Sequence, residues 1–319
     1  MFRLSENLGS NGTAYRDAIC DTIIELMQEN ERVVMLEADL GGASGTSKIQ
    51  KKIPQQYVQV GIAEADMMGI AGGMSSEGFI PFTHTFGPFA TRRAFDQIYL
   101  AGGYAHNTIN IWGSDPGFTV GANGGTHTTW EDVALMRTIP GSVVCDAADA
   151  VQASWIVREF AKTEGIHYLR TGRKNAPSIY AEGSAFEMGK GNVIREGSDV
   201  LIISAGQLVA DALKAADALQ EQGVSAEVID MFCIKPLDEG LVRSEAAGKR
   251  AVVTFENHNV IGGLGDAVAA TLMEGGIAVP FKRHGVCERF GQVGTPEFLQ
   301  AEFKLTASDL VESVKSLLG

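Results

Sequence analysis

Hydrophobic positions along the chain switch between two spacings, one typical of helices and one typical of buried strands. Residues 13–30 repeat apolar side chains at helical intervals, and the run RVVMLEAD at 32–39 is apolar enough for a buried strand. The alternation continues, with strands predicted at 56–61, 79–84, 108–114, 142–147 and 166–170 and helices at 63–76, 89–103, 128–141 and 150–165. Such alternation predicts a parallel sheet that is covered by helices on both faces.

The periodicity stops at residues 171–192, which are predicted to form a linker or a linker with a short hairpin. It restarts with the apolar run DVLIISAG at 199–206 and ends with a helical pattern at 306–319. We therefore predict an α/β protein with a larger parallel-sheet domain over residues 1–175, a linker over 176–190 and a smaller α/β domain over 191–319.

Composition narrows the classes of partner and location. The chain has 319 residues, is 45% hydrophobic and 20% charged, and carries a net charge of -13 at pH 7. Nucleic acid and anionic membranes need clustered cations, so neither is expected as a partner, whereas a phosphorylated substrate needs only a few cations. The four cysteines form no CxxC pair, so neither a zinc site nor a disulfide framework is expected. Because the N-terminus lacks a signal-peptide core and no apolar run could span a bilayer, we expect a cytoplasmic protein.

An acidic residue lies at one of the predicted strand-to-helix joints. Glu64 follows the strand at 56–61 and begins the helix at 63–76. In parallel sheets, ligands bind beyond the carboxyl ends of the strands, where helices begin. A carboxylate in a first helical turn also stabilises the helix dipole by about 0.3–1 kcal/mol without any ligand. This residue alone leaves both interpretations open.

Two neighbouring features favour a ligand site. Phe86 and Phe89 lie in a Gly-Pro loop just past the next strand, where a planar ligand could stack on them, although aromatic residues are more often part of a core. A glycine-rich loop after the strand at 108–114 ends at His127, just before a helix. A loop that returns to the same sheet edge makes His127 a candidate for substrate contact, with plain solvent exposure as the alternative.

Three segments taken together resemble the pyrimidine-binding domain of transketolase: GIAEADMMGIAGG at 61–73, FTHTFGPFATRRAFDQI at 82–98 and GGTHTTWEDVALMRTIPG at 124–141. The chain looks most like the C-terminal subunit of split transketolases, and the resemblance extends to a transketolase C-terminal domain from about residue 199. Deoxyxylulose-phosphate synthase and the β subunit of 2-oxoacid dehydrogenases are related families. The GGTH segment favours transketolase or the synthase.

The resemblance implies a thiamine diphosphate enzyme that moves a two-carbon ketol unit from a ketose to an aldose. By this analogy, Glu64 is a catalytic residue that hydrogen-bonds N1′ of the cofactor's aminopyrimidine. Phe86 and Phe89 would flank the pyrimidine ring, and Asp39 and Ile62 would lie near the cofactor. The cofactor supplies the electron sink, while the protein supplies position and a proton partner.

The resemblance also implies a partner. Thiamine enzymes hold Mg²⁺ and the diphosphate through a GDG sequence and a later Asn-bearing turn, and no GDG sequence occurs in this chain. The chain is also about half the length of a full transketolase. We therefore expect that it is inactive alone and that Mg²⁺ and the diphosphate are held by an N-terminal transketolase subunit. The expected assembly is an α2β2 heterotetramer.

Phosphorylated sugars need cations, and the resemblance places Arg16 and Arg173 at phosphate-binding positions. Further candidates are Ser44, Lys48 and Arg170, although for Lys48 and Arg170 a solvated surface charge is the favoured interpretation.

The substrate loop departs from the family pattern. Split transketolases commonly read SHAGLTVGEDGATHQ, whereas this chain reads GSDPGFTVGANGGTHT at 113–128. His127, a substrate-binding and catalytic candidate, is kept. In this chain, Asp115 replaces the usual upstream histidine and Thr128 replaces the final glutamine. Ala122 and Asn123 replace the usual acidic pair. His84 is a candidate to fill the altered pocket, with a structural histidine as the alternative.

We expect ketol transfer to survive these changes, because Glu64 and the aromatic pair survive. The preferred sugar is expected to differ from ordinary pentose phosphates, with branched, deoxy, otherwise modified and sulfonated ketoses as alternatives. Two other functions stay open. One is a synthase-like or dehydrogenase-like reaction on a 2-oxoacid with the same cofactor, and the other is a non-catalytic subunit that kept the fold.

Overall fold

The computed structural model describes residues 1–172 and 175–319. In chain order, the strands are β1 (Asn11–Ala14), β2 (Val33–Glu37), β3 (Tyr57–Gln59), β4 (Ile80–Phe86), β5 (Ile109–Ser114), β6 (Val143–Asp146), β7 (Ile166–Thr171), β8 (Asn175–Pro177), β9 (Asn192–Arg195), β10 (Val200–Ser204), β11 (Ala226–Asp230), β12 (Cys233–Lys235), β13 (Ala251–Asn259) and β14 (Phe281–Val286). Arg173 and Lys174 lie outside the described residues.

The α-helices are α1 (Tyr15–Glu29), α2 (Gly41–Ser44), α3 (Ser47–Lys52), α4 (Glu64–Ser76), α5 (Gly87–Ala90), α6 (Phe95–Gln97), α7 (Asp132–Arg137), α8 (Ala150–Phe160), α9 (Val209–Gln220), α10 (Glu239–Ala246), α11 (Leu264–Glu274), α12 (Pro296–Glu302) and α13 (Ala307–Leu318). Short 3₁₀ segments cover Pro54–Gln56, Gly117–Asn123 and Gly206–Leu208, and a π-helix covers Ile98–Tyr104. None of the described helices has the length and apolar composition that crossing a membrane requires.

A seven-stranded sheet forms the first half, in the order β12-β6-β7-β5-β4-β2-β3. Its strands run parallel except for β12, which pairs antiparallel with β6. One face packs against α1 and α8, and the other packs against α4 and α7 through buried side chains such as Met67 and Met136. This confirms the predicted parallel sheet with helices on both faces. The carboxyl ends of β2, β4 and β5 lie side by side along the same end of the sheet.

A five-stranded sheet forms the second half, in the order β14-β13-β10-β11-β9, and only β9 is antiparallel to its neighbour. Helices α9 and α13 cover one face, while α10 and α11 cover the other. The two halves are joined in a further way, since β12 comes from the second half of the chain and completes the edge of the first sheet. Residues 233–235 were not predicted as a separate strand.

Three predicted elements differ from the structure. The helix predicted at 89–103 is divided into α5, α6 and the π-helix. The π-helix packs closely on its neighbours, since a Cβ on Gly102 would overlap Ile166 in β7. A Cβ on Gly72 would lie 2.9 Å from the carbonyl oxygen of Ala101. The helix predicted at 128–141 is limited to α7. Residues 175–177 form no local hairpin but pair with β1 as β8.

Candidate active site

Glu64 lies at the first position of α4, and its side chain is almost completely buried. The turn before it uses Gly61 at a φ of 73°, a value that favours glycine, and this turn directs the chain from the end of β3 into the helix. Oε1 of Glu64 accepts a hydrogen bond from Nη1 of Arg93 at 2.7 Å. The predicted carboxylate at this joint is therefore buried and already bonded to a cationic donor.

An aromatic cluster adjoins this carboxylate. The ring centroid of His127 lies 5.9 Å from that of Phe86 and 5.1 Å from that of Phe89. The two phenylalanine centroids are 6.3 Å apart. The structure thus brings together both predicted aromatic residues and the predicted histidine, although they come from β4, α5 and the glycine-rich loop.

Arg93 links the carboxylate to the aromatic cluster. Its guanidinium carbon lies 3.8 Å from the ring centroid of Phe89, while its Nη1 donates to Glu64. A planar cation therefore stacks on Phe89 and donates to a buried carboxylate at the same time. An aminopyrimidine that donates a proton from N1′ to Glu64 needs the same two contacts, so these residues fit that group. Sequence reasoning missed Arg93, and its spacing of four residues from Phe89 was the available signal.

The other two predicted cofactor residues lie on the surface. Asp39 is exposed after β2, and its backbone N–H donates to the side chain of Gln59 at 2.9 Å. Ile62 is 76% exposed, directly before the buried Glu64. Contact of either residue with a cofactor stays a prediction.

The candidates for substrate phosphate lie near α2. Nη1 of Arg16, in the first turn of α1, donates to the carbonyl of Ala43 at 3.3 Å. Ser44 is buried and directs its hydroxyl to the carboxylate of Glu37 at 3.3 Å. The ammonium group of Lys48 pairs with Asp21 at 2.8 Å. Arg16 therefore borders the segment that carries Ser44, and all three side chains contact other polar groups of the protein.

Glu37 and His84 form a buried pair that the sequence reasoning did not identify. Nδ1 of His84 lies 3.1 Å from Oε2 of Glu37, and Nε2 lies 3.0 Å from Oγ of Ser114. Burial by itself raises the pKa of Glu37, but the charge of His84 and hydrogen bonds from His84, Thr46 and Leu40 outweigh it, so this pKa lies below its usual value. An acidic residue inside an apolar strand run was the signal in the sequence.

The substrate loop begins at Asp115, which is buried and has a φ of 55°. Its backbone N–H donates to the carbonyl of Thr171 at 3.0 Å. Ala122 and Asn123 are exposed at the end of the 3₁₀ segment. Thr128 is buried and donates to the carbonyl of Gly124 at 3.1 Å. The departures from the family pattern thus fall into a buried pair and an exposed pair.

The second half of the chain supports this loop. Oδ1 of Asn257 accepts from the backbone N–H of Phe118 at 3.2 Å, and Nδ2 donates to the carbonyl of Pro116 at 3.1 Å. A Cβ on Gly291 would overlap Thr128, so the backbone at Gly291 packs directly on the loop. Residues of the second half of the chain therefore hold the predicted substrate loop in place.

The location of Arg170 differs from the one expected from the sequence. It was interpreted as a solvated surface charge, but it is buried and pairs with Asp132 at 2.7 Å and Asp146 at 2.8 Å. Its Nη2 also donates to the carbonyl of Asn257 at 2.6 Å. Burial alone raises the pKa of Asp132, yet Arg170 and His258 bring it below its usual value, whereas burial raises the pKa of Asp146 to about 6 despite Arg170. Arg170 therefore joins the two halves of the chain and is fully engaged within the protein.

Comparisons with known proteins agree with this arrangement. Residues 11–178 match the family model of the transketolase pyrimidine-binding domain, and residues 189–310 match that of the transketolase C-terminal domain. The chain is 43% identical to the 6-deoxy-6-sulfo-D-fructose transketolase subunit SqwH of Clostridium sp. (strain MSTE9), over 93% of this chain and 92% of that protein. It is 34% identical to a subunit of the apulose-4-phosphate transketolase of Phocaeicola vulgatus, over 85% of this chain and 88% of that protein. A solved split-gene transketolase, described as an inactive beta4 tetramer, has a TM-score of 0.89 and 40% identity, covering 96% of this chain and 99% of that one.

Proposed function

The chain belongs to the transketolase family, and we propose that it is the pyrimidine-binding subunit of a split transketolase. Family membership implies dependence on thiamine diphosphate. The observation that carries the proposal is the geometry at Glu64: a buried carboxylate at a helix start, beside the face of Phe89, that already holds a planar cationic donor. Bound there, thiamine diphosphate would supply the nucleophile and the electron sink for transfer of a ketol unit.

The residues of this chain take the following roles in the proposal. Glu64 holds a proton between its carboxylate and N1′ of the aminopyrimidine, and burial excludes water that would compete for that bond. Phe86 and Phe89 fix the plane of the ring by stacking. His127, whose ring touches both, donates to a substrate oxygen.

The partner in this proposal is an N-terminal transketolase subunit that binds Mg²⁺ and the diphosphate, in an α2β2 heterotetramer. The 40% identity to a split-gene transketolase chain supports such a division of labour between two polypeptides. The cytoplasmic location and the domain division at residues 175 and 190 stay predictions from the sequence.

The proposed donor is a ketose other than an ordinary pentose phosphate. Two relatives, at 43% and 34% identity, are named for 6-deoxy-6-sulfofructose and for apulose 4-phosphate. Asp115 and Asn123 stand where the family pattern has a histidine and an acidic residue, and both changes alter the contacts for sugar hydroxyls. Arg16 and Arg173 are the proposed ligands of the substrate's terminal anion, and a guanidinium suits either a phosphate or a sulfonate.

The function is tested by reconstitution. We expect this chain, combined with an N-terminal transketolase subunit, Mg²⁺ and thiamine diphosphate, to transfer a two-carbon unit to an aldose phosphate, whereas neither chain alone does so. A panel of 6-deoxy-6-sulfofructose, apulose 4-phosphate, fructose 6-phosphate and xylulose 5-phosphate is compared by kcat/KM, with products identified by mass spectrometry. Consumption of pyruvate with release of CO₂ selects the synthase-like alternative. Failure of every donor to form a cofactor adduct selects the non-catalytic one.

Arg93 supplies a second test, because it holds the contacts that the aminopyrimidine is proposed to take. Since the cofactor must displace it, Arg93→Ala should bind thiamine diphosphate about two- to fivefold more tightly in the assembled complex, the effect of removing one half-exposed ion pair. The matched control is Arg92→Ala, which removes a neighbouring arginine that pairs with Glu131. Calorimetric titration of both variants decides the matter. Weaker binding by the Arg93 variant alone would make Arg93 a cofactor ligand instead.

A further inference from the structure

A row of buried, hydrogen-bonded polar side chains, the Glu37–His84–Ser114 row, runs from the centre of the first sheet towards the substrate loop. Glu37 in β2 and His84 in β4 are register partners in neighbouring parallel strands, so their side chains lie on the same face of the sheet. His84 is in turn the partner of Trp112 in β5, two residues before Ser114, and its ring lies 4.2 Å from that of Trp112. Glu37, His84 and Ser114 are fully buried.

The two ends of the Glu37–His84–Ser114 row contact two different loops. At one end, the carboxylate of Glu37 accepts from Thr46 at 2.6 Å and from the backbone N–H of Leu40 at 3.1 Å, which fixes the segment beside Arg16. At the other end, Oγ of Ser114 lies 3.5 Å from Oδ2 of Asp115, the first residue of the substrate loop. Burying a carboxylate and an imidazole in a sheet costs free energy that apolar side chains would not cost.

The chemistry of the donors and acceptors determines the direction of the hydrogen bonds along this row. An ionised carboxylate only accepts, so Nδ1 of His84 carries a proton and donates to Glu37. In the neutral ring, Nε2 then accepts from the hydroxyl of Ser114. In the doubly protonated ring, Nε2 donates to Ser114, whose own proton can turn towards Asp115. Ser114 has a single hydroxyl proton, so it can donate to Asp115 only where Nε2 of His84 donates to Ser114. In that arrangement His84 holds the Asp115 carboxylate through Ser114.

We propose that His84 is a positioning residue for substrate recognition, which orients the Asp115 carboxylate through Ser114 while Glu37 fixes the imidazole. The inference rests on the proposed function, because it takes Asp115 to face the donor sugar. It assigns His84 a role beyond filling the pocket. It also gives a reason for a carboxylate at position 37, inside an otherwise apolar strand.

The first test does not depend on turnover. In histidine ¹⁵N spectra of the full chain, His84 is assigned by the signals lost in His84→Asn. We expect Nδ1 to be protonated, Nε2 to shift in Ser114→Ala, and Nε2 to shift again in Asp115→Asn. His167 is the internal control, because it is equally buried on the same face but bonds to Asn110 at 2.6 Å and stacks on Phe160. A neutral ring protonated only at Nε2, or an Asp115→Asn spectrum in which His84 is unmoved, overturns the proposal.

The second test uses the reconstituted complex. An asparagine at position 84 can keep the bond to Glu37 but cannot reach Ser114, so His84→Asn and Ser114→Ala should each raise the KM of the ketose donor about tenfold, with kcat within about twofold. His167→Asn should leave that KM unchanged, whatever it costs in thermal stability. Equal KM changes in His84→Asn and His167→Asn, or none in either, leave His84 with a structural role only. If the wild-type complex transfers no ketol unit, the proposed function fails, and the spectra still decide the link between His84 and Asp115.

Discussion

Glu64→Gln should lower ketol transfer by the assembled complex by about 10²–10⁴-fold, the range for loss of a positioned proton-transfer group. Glutamine has nearly the same shape, and its amide oxygen can still accept from Arg93, which bonds Glu64 at 2.7 Å. It cannot, however, share a proton with a ring nitrogen as a carboxylate does. We therefore expect the complex to assemble and bind cofactor while turnover is lost. The measurement is kcat for transfer, with cofactor affinity measured in parallel.

The matched control for Glu64 is Asp66, an exposed carboxylate in the same first turn of α4. Both variants lose a favourable interaction with the helix dipole, about 0.3–1 kcal/mol. Asp66→Asn should consequently lower the unfolding free energy by a similar amount and keep normal turnover. Unimpaired transfer by Glu64→Gln would return Glu64 to the role of a helix-start carboxylate, which was the other interpretation of the sequence.

The sequence was informative wherever function depends on neighbours along the chain. An apolar strand pattern followed at once by a helical pattern is a local signal, so the order of residues alone was enough to assign Glu64 to its joint. Phe86 ends β4 and Phe89 lies in α5 directly after it, and a glycine-rich loop led to His127. Parallel strands align their carboxyl ends, which is why these segments meet at one edge of the sheet.

The sequence was uninformative wherever a side chain depends on partners that are far away along the chain. Arg170 was expected at the surface because nothing in its own segment indicates that Asp132 and Asn257 surround it. The helix predicted at 89–103 has helical spacing, but spacing does not reveal that a Cβ on Gly102 would collide with Ile166 in β7. The pair of Glu37 and His84 also required a strand register, since the two residues are 47 positions apart.

Arg170→Met should lower the unfolding free energy by about 3–5 kcal/mol, because it leaves Asp132 and Asp146 buried without their cation. The loss follows from the unpaired carboxylates, since methionine fills much of the volume of the arginine stem. Urea denaturation of the full chain measures it. Arg158→Met is the matched control, since Arg158 forms an exposed ion pair with Glu25 and should cost no more than about 1 kcal/mol.

A second substitution separates the ion pair from the loss of side-chain volume. Asp132→Asn combined with Arg170→Met should cost less than the sum of the single changes, because it removes one of the charges left unpaired. The same variants decide between the two interpretations of Arg170. A phosphate ligand would raise the KM of the sugar phosphate when replaced and leave stability almost unchanged. The buried contacts with Asp132, Asp146 and the Asn257 carbonyl favour the opposite result, in which stability falls and the substrate loop loosens only because Asn257 is no longer held.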